Sequence, residues 1–305
     1  MCIRDSTVSG AAGTRVTLRH GEILNADGTL YTANLRSATV TDRYTFRTTG
    51  TVVYTPTFTQ HGFRYLEITG ASAAPAVADV TGVVWGSDLA ATGDLATSDP
   101  MLNQLVSNIS WGQRGNFLSV PTDTPARDER LGWTGDINVF APTASYLRDT
   151  RSFLGKWLTD LRDAAYADGN VPGIAPVVPN AGDFGSGLGW SDAAITVPYA
   201  TWNAWQDGRL VRENYAAMKK FLAYVQTSAG PDLIDSGRGH WEDWLNLDDP
   251  TGVGVLGTMY YAEDARMLSE MAAGIGEDAD AAQYAALSTA VRQPSSTPTS
   301  SPTAR

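Results

Sequence analysis

Residues 99–109, DPMLNQLVSNI, mark the point at which the chain changes from a strand pattern to a helical pattern. Asp99 is suited to cap a helix, and Pro100 is suited to the first helical position. The apolar residues that follow recur at the i, i+3, i+4 spacing of one helix face, which predicts a helix with a buried stripe. That stripe comprises Met101, Leu102, Leu105, Val106 and Ile109.

The residues before this point have the pattern of short β-strands. Side chains that are β-branched or aromatic alternate or cluster in Arg15–Leu18, Asp42–Phe46 and Thr51–Tyr54, and Asn25–Gly28 is a turn sequence. We therefore predict a β-sandwich accessory domain over residues 7–92 that is truncated at its start.

The residues after this point predict about seven helices in all, joined by loops. A second apolar stripe begins at Phe153, and Gly169 is expected to end its helix as a C-terminal glycine. The stripe comprises Phe153, Leu154, Trp157, Leu158 and Leu161. Further helices are predicted near residues 135–148, 191–207, 209–227, 256–274 and 278–291. The connections 170–189 and 229–252 are long, and loops of that length inside a compact domain are usually functional. Successive helix hairpins with candidate catalytic residues in their loops indicate an α/α toroid.

The connection between the first two helices carries an unusual set of side chains. Between Pro121 and Asp136, sixteen residues contain four carboxylates, two arginines and one tryptophan. Glycoside hydrolysis needs one carboxylic acid to protonate the leaving oxygen, and an apolar wall or a neighbouring negative charge keeps such an acid protonated. An indole packs on the C–H face of a sugar, and arginines hold carboxylates or hydroxyls by forked hydrogen bonds. The pattern is therefore that of a sugar-cleaving site.

A solvated turn with internal salt bridges is the alternative interpretation of this charged stretch. Gly132, Trp133 and Gly135 weigh against it, because a bulky indole between two glycines indicates a shaped loop.

Composition and charge exclude several classes of protein. The chain of 305 residues is 43% hydrophobic and 18% charged, and it has no apolar run long enough to span a membrane. A net charge of -11 without a basic stripe argues against nucleic acid as a partner. One cysteine excludes an internal disulfide. The histidines His20, His61 and His240 lack metal-site spacing, so each is interpreted as a structural hydrogen-bonder, and neither a metal nor a cofactor is expected.

The stretch from Val120 to Asp136, VPTDTPARDERLGWTGD, resembles the signature of bacterial α-L-rhamnosidases of glycoside hydrolase family 78. It departs from the family pattern at Thr124, where cysteine is usual, and at Ala126, where glutamine is usual. Further segments resemble the same family and extend the likeness over most of residues 15–290. These are Leu18–Tyr31, Tyr54–Gly70, Gly189–Ala193 and Glu242–Leu245, the last with Glu242 where the family more often has glycine.

The resemblance implies a multidomain fold of a β-sandwich followed by an (α/α)6 barrel of six helix pairs. The first part of that barrel is expected over residues 93–292, and because seven helices are about half of twelve, the barrel is expected to be incomplete.

The resemblance also assigns roles. Glu129 matches the general acid, and Asp123, Arg127, Trp133, Asp136, Trp190 and Trp244 match positions that bind the rhamnose. A second group of candidate contacts comprises Asp128, Asp192, Trp241 and Asp243. Trp241 enters as the alternative to Trp244, and Asp192 and Asp243 are each a sugar contact or a helix N-cap. For Asp128 and Arg130, an ion pair that holds the loop is the alternative, and core packing is the alternative for each later tryptophan.

The function implied is release of terminal α-L-rhamnose from a rhamnose-containing glycoside or polysaccharide with inversion of configuration. An inverting enzyme needs a second carboxylate as base, and the family supplies it far downstream. No general base is expected within this chain, and the fragment itself is expected to have little activity. A non-catalytic carbohydrate-binding protein, another (α/α)6-barrel glycosidase and a structural module remain alternatives.

Both ends of the chain have unusual sequences. Residues 1–6, MCIRDS, match a translated sequencing adapter and are interpreted as a scar. Residues 293–305 abruptly leave the helical pattern and are interpreted as a disordered or frame-shifted tail. The localisation is left open, because no native first residues are identified.

Overall fold

The computed structural model describes residues 2–179, 182 and 184–293. By the density of its contacts, the chain divides into two compact units. The β unit comprises the residues up to Asp88 together with Leu95–Leu131, and the helical unit comprises Leu89–Asp94 together with the residues from Gly132 onward.

The β unit is built on two antiparallel three-stranded sheets. The strands are β1 (Cys2–Gly10), β2 (Arg15–Gly21), β3 (Ile23–Leu24), β4 (Leu30–Tyr31), β5 (Thr41–Thr45), β6 (Gly50–Tyr54), β7 (Tyr65–Thr69), β8 (Val80–Val84), β9 (Phe117–Leu118) and β10 (Val120–Pro121). One sheet has the order β6-β1-β8 and the other the order β5-β2-β7, and β3–β4 and β9–β10 form two short hairpins. The predicted turn Asn25–Gly28 joins β3 to β4, with Gly28 at φ +85°.

The core of the β unit lies between the two sheets. Alternate residues of β2 are buried, as expected for a strand with one face on a core. Val16 and Leu18 of β2 pack with Val8 of β1 and with Phe46, so both sheets contribute to one cluster. This arrangement confirms the prediction of a β-sandwich.

Helix α1 (Pro100–Asn116) belongs to the β unit and begins where the sequence predicted. The Asp99 side chain accepts a hydrogen bond of 2.8 Å from the Met101 amide, so the predicted cap is confirmed. The prediction of a buried stripe is wrong, because Met101, Leu102 and Leu105 are 75%, 47% and 52% exposed. Within its own unit the helix packs against the short strand β9, which is too small to cover an apolar helix face.

The helical unit contains the other six helices of the described residues. They are α2 (Thr134–Leu147), α3 (Arg151–Asp163), α4 (Ala193–Trp205), α5 (Gly208–Ala229), α6 (Val253–Ile275) and α7 (Asp278–Arg292). Every helix predicted from periodicity is present, and except for the end of α3 the helix ends lie within a few residues of those expected. No helix of the part that the structure describes is both long enough and apolar enough to cross a membrane.

Neighbouring helices pack as hairpins, with α2 on α4 and then α4, α5, α6 and α7 each on the next. All five residues of the predicted α3 stripe are buried, including Trp157 and Leu154 at 0% exposure. Hairpins that follow a β-sandwich confirm the predicted order of a β domain and a helical barrel domain.

Gly169 does not end α3, and that prediction is wrong. The helix ends at Asp163, and Gly169 lies in the following turn at φ +101°. A Cβ at residue 169 would lie 2.6 Å from the Lys220 carbonyl oxygen, so the glycine is required by packing and by backbone conformation rather than by a helix cap. The predicted tail, residues 293–305, lies outside the described residues except for Gln293. The interpretation of residues 1–6 as an adapter scar concerns the origin of the sequence, so the structure does not test it.

Candidate functional site

The signature stretch contributes to both units, because its residues up to Leu131 belong to the β unit and those from Gly132 onward to the helical unit. The first part supplies carboxylates and arginines, and the second part supplies aromatic rings.

Asp123 closes the acidic loop of the β unit. Its amide donates to the Leu131 carbonyl at 3.2 Å, and its carboxylate accepts from the Leu131 amide at 3.1 Å. Arg130, just before Leu131, has φ +39° and donates to the Gln60 carbonyl at 3.3 Å. Burial lowers the pKa of the Arg130 guanidinium. A non-glycine residue at positive φ is held there only by its surroundings, so this loop is rigidly shaped.

Glu129 lies between two guanidinium groups. Arg127 from the same loop forms an ion pair with Oε2, and Arg36 from a distant part of the β unit approaches the same oxygen at 3.1 Å. The Glu129 side chain is 24% exposed, so it is accessible to a ligand and also oriented by its partners. The contact with Arg36 is a charge-assisted hydrogen bond, which is stronger than a neutral one.

Asp128 has a different set of partners from its neighbour. Its Oδ2 accepts from the Ser37 amide at 3.1 Å and from the Ser37 hydroxyl at 2.5 Å. These hydrogen bonds lower the pKa of the Asp128 carboxyl. Among the described ion pairs none joins Asp128 to Arg130, so the alternative of a pair between them is not what holds the loop.

Trp133 occupies the N-cap position of α2 in the helical unit and is 8% exposed. The adjacent backbone is clamped to the strand-like segment 173–175, since Ala175 donates to the Gly132 carbonyl at 2.9 Å and Thr134 to the Gly173 carbonyl at 2.9 Å. A Cβ on residue 132 would lie 2.1 Å from the Ala175 carbonyl oxygen. Only glycine allows this approach.

The indole rings of Trp133, Trp190, Trp241 and Trp244 form one cluster in the helical unit. The centroid of Trp241 lies 5.4 Å from that of Trp133, 5.5 Å from that of Trp190 and 5.3 Å from that of Trp244. Trp190 also packs on Gly135, where a Cβ would lie 2.4 Å from the ring. The two glycines that flank Trp133 are therefore both packing positions, as expected for a shaped loop.

The sequence offered Trp241 and Trp244 as alternatives for one position of the site. In the structure both rings belong to the cluster, so both stay candidates. Trp241 is the central ring, with His240 against it at 4.4 Å, whereas Trp244 is 56% exposed. The Nε1 atoms of Trp133 and Trp241 are buried without a hydrogen-bond partner. Two unpartnered indole donors beside an exposed ring are a suitable surface for a ligand that carries both C–H and hydroxyl groups.

Asp136 and Asp243 are acidic candidates close in sequence to residues of the indole cluster. Asp136 is an exposed residue in the first turn of α2, where a negative charge stabilises the helix. Asp243 accepts from the Thr251 amide at 2.9 Å and from the Asn246 side chain at 3.0 Å. These bonds, the Thr251 amide first, lower the pKa of Asp243.

Asp192 belongs to a fully buried ionic network that the sequence did not reveal. Its two oxygens accept from the Gly189 amide at 2.7 Å and from Arg238 at 2.8 Å. Arg238 also donates to Asp235 at 2.6 Å, and burial beside Asp192 raises the pKa of Asp264 well above its usual range. Asp192 stands at the N-cap position of α4 without capping it. The i, i+3 spacing of Asp235 and Arg238 is the one feature of the sequence that could have indicated this ion pair.

Two histidines that are distant in sequence meet in the β unit. His61 Nε2 lies 3.1 Å from both oxygens of Asp42, and His20 Nδ1 lies 2.9 Å from the Val40 carbonyl. The two rings stack at 4.1 Å. Nitrogen and carboxylate donors within 4.8 Å of one another are a possible ligand set for a metal. Both rings have hydrogen-bond partners, and their meeting at Asp42 was not predicted. That the two histidines are structural stays a prediction.

Comparison with known proteins gives a consistent set of relatives. Residues 3–86 match the model of the bacterial alpha-L-rhamnosidase concanavalin-like domain, and residues 90–296 match that of the bacterial alpha-L-rhamnosidase 6 hairpin glycosidase domain. A protein of Streptomyces avermitilis named alpha-L-rhamnosidase is 50% identical over 94% of this chain, and one of Formosa agariphila is 39% identical over 90%. A solved structure of the Streptomyces avermitilis enzyme complexed with L-rhamnose has a TM-score of 0.89 and 49% identity over 95% of this chain.

The matched part is a minority of each relative. The chain spans 27% and 30% of the length of the two curated proteins and 28% of the solved chain.

Proposed function

Because this chain belongs to the bacterial α-L-rhamnosidase family, we propose that the protein is a glycoside hydrolase that releases terminal α-L-rhamnose. Its substrate class is a rhamnose-containing glycoside or polysaccharide. Relatives named alpha-L-rhamnosidase, one of them solved with L-rhamnose, support this assignment.

The observation that carries the proposal is the state of Glu129. It is a partly exposed carboxyl group that pairs with two arginines of its own unit. A general acid has to be both reachable and held in one orientation. Glu129 meets both needs, and among the acids of the signature it is the one whose position resembles that of the family's general acid.

In the proposed reaction, Glu129 donates its proton to the glycosidic oxygen while the bond from that oxygen to the anomeric carbon breaks. The bonding electron pair stays with the leaving oxygen, which becomes an alcohol. A water molecule, activated by a second carboxylate about 6.5–9.5 Å from the acid, attacks the opposite face of the sugar and inverts the configuration. None of the residues described above is assigned the role of the base.

Sugar recognition is assigned to the remaining signature residues. Asp123, Asp136 and Arg127 have the hydrogen-bonding groups to hold sugar hydroxyls. The indole cluster supplies an apolar wall, which suits a sugar that carries a methyl group where other hexoses carry a hydroxymethyl group. Asp192 is assigned a supporting role instead, because its carboxylate is consumed by Arg238 and Gly189. Asp128 and Asp243 are likewise assigned to hold their loops.

A panel of aryl glycosides, assayed with the full-length enzyme, tests the reaction class. We expect turnover of the α-L-rhamnoside and no comparable turnover of the corresponding glucosides or glucuronides. Preference for another sugar would indicate a different barrel glycosidase. Binding of L-rhamnose without turnover of any member of the panel would indicate a carbohydrate-binding protein.

The stereochemistry of the product tests the mechanism separately. Proton NMR recorded during the first minutes of hydrolysis is expected to show the β-anomer of L-rhamnose before mutarotation. The α-anomer as first product would require a covalent intermediate and would overturn the inverting mechanism.

A further inference from the structure

We propose that Arg36 is a positioning residue for the proton donor, and that it holds the Glu129 carboxyl group in its productive orientation. This inference rests on the proposed function. Arg36 belongs to the β-sandwich segment of the chain, far in sequence from the signature, and no sequence pattern singled it out.

Consecutive residues of the β unit hold consecutive residues of the acidic loop. Arg36 pairs with Glu129, while the amide and hydroxyl of Ser37 both donate to Asp128. The two segments run in opposite directions, with Arg36 on Glu129 and Ser37 on Asp128, so a single turn of the sandwich holds both acids. A displacement of this turn would therefore change the orientation of Glu129 directly.

The backbone of Arg36 is specialised for this contact. Arg36 ends the short 3-10 helix Ala33–Leu35 with φ 54° and ψ -120°, a region that non-glycine residues rarely adopt. The neighbouring Leu35 holds this turn in place, because its side chain is buried at 2% exposure. Its carbonyl also accepts a hydrogen bond of 3.0 Å from the Ala38 amide. A buried anchor beneath an unusual backbone conformation is typical of segments held in place for function.

Two guanidinium groups contact the same oxygen of Glu129. Arg36 donates a hydrogen bond of 3.1 Å to Oε2, and Arg127 forms an ion pair with that oxygen. Arginine has only N–H donors, so Arg36 acts on Glu129 by holding this oxygen in place. The role assigned to Arg36 is therefore to hold the Glu129 carboxyl group in the orientation from which it donates its proton.

This assignment predicts a dependence on the leaving group. A poor leaving group, such as a sugar or alkyl alcohol, needs its oxygen protonated as the bond breaks, whereas a dinitrophenolate departs without that help. Misorientation of Glu129 should therefore slow cleavage of poor leaving groups selectively. A general loss of structure would slow both substrates alike.

The experiment places Arg36→Ala, Arg36→Lys and Arg19→Ala in the full-length enzyme and compares them with the unmodified full-length protein on alkyl and dinitrophenyl α-L-rhamnosides. Arg19 is the matched control, because it forms a comparable surface pair with Glu67 at 2.9 Å in the same unit. For Arg36→Ala we expect kcat/KM to fall at least about 10-fold on the alkyl rhamnoside and less than about 3-fold on the dinitrophenyl rhamnoside. The first loss is smaller than the whole contribution of general acid catalysis, because Glu129 itself is still present. Arg36→Lys keeps the charge without the fork and should recover part of the loss.

Equal losses on both substrates, or no loss on either, would overturn the positioning role. Selective loss in Arg19→Ala as well would also overturn it, because the effect would then not be particular to Arg36. Failure of the unmodified protein to cleave any rhamnoside is a different result, which removes the proposed function and the role of Arg36 with it. Coincident thermal unfolding of Arg36→Ala and Arg36→Lys excludes a folding defect as the cause of a difference between them.

Discussion

Two clusters of arginines and carboxylates in this molecule differ in how far they are exposed to solvent. Around Arg238 in the helical unit, the Asp192 and Asp235 carboxylates are at 0% exposure and the guanidinium at 1%. Around Glu129 in the β unit, the side chains of Glu129 and Arg127 are 24% and 22% exposed and that of Arg36 is 59% exposed. Burial makes the first cluster costly to disturb, and access allows the second to exchange partners for a ligand.

The largest expected effect in this comparison comes from breaking the buried cluster. Replacement Arg238→Ala leaves Asp192 and Asp235 without their cation and should lower the free energy of unfolding by about 3–5 kcal/mol. Urea denaturation followed by tryptophan fluorescence measures the change. A loss under about 1 kcal/mol would show that the buried cluster contributes no more than a surface pair.

The indole cluster offers the next test, because it depends on the space left by a glycine. Substitution Gly135→Ala places a methyl group 2.4 Å from the Trp190 ring and should cost about 1–3 kcal/mol by overpacking. Gly112→Ala in α1 is the matched control, since nothing lies within 4 Å of its added Cβ. The account predicts a neutral or slightly stabilising control, and equal destabilisation of both variants would contradict it.

The buried cluster should also give stability a distinctive dependence on pH. Burial beside Asp192 raises the pKa of Asp264, so this residue keeps its proton in the folded state at pH values where the unfolded chain has lost it. Its contribution to stability is present below its unfolded pKa and is lost as pH rises towards its folded pKa. Asp264→Asn should flatten the fall in stability as pH rises above the unfolded pKa of about 4, and an unchanged slope there would count against the assignment.

The smallest effect is expected for Asp128 in the accessible cluster. Hydrogen bonds from Ser37 lower its pKa, so its contribution is present above its unfolded pKa and is lost as pH falls through its folded pKa. Because solvent screens an exposed side chain, Asp128→Asn should leave thermal unfolding at pH 7 within error of the parent. A large drop in the unfolding temperature would mean that the acidic loop is a structural element of the β unit.

Local patterns in the sequence were sufficient to predict the helices of the fold. Asp99 and Pro100 located the start of α1, and the spacing from Phe153 to Leu161 identified a buried helix face, because capping and helical periodicity are encoded by neighbouring residues. The same periodicity misjudged Met101 and Leu102, since it reports which face is apolar and not whether another element covers that face. The end of α3 was misplaced because Gly169 serves a contact with Lys220 that lies outside the local sequence.

The candidate site was predictable only in part. The resemblance of residues 120–136 to one family indicated Glu129 and Trp133, whereas Arg36, Arg238 and Asp264 were not identified. Each of these three acts through a partner that is remote in sequence, and pairings of that kind are determined by the tertiary fold. Whether Asp123 and Asp136 bind sugar stays a prediction.

The central claim is that Glu129 is the proton donor of a rhamnosidase. The most direct measurement is kcat/KM on a rhamnoside with an unactivated alcohol leaving group, for Glu129→Gln and for Glu67→Gln as an ion-paired glutamate control. The account predicts that Glu129→Gln loses about 10²–10⁴-fold while the control keeps the parent rate. Turnover by Glu129→Gln at the parent rate would contradict the claim.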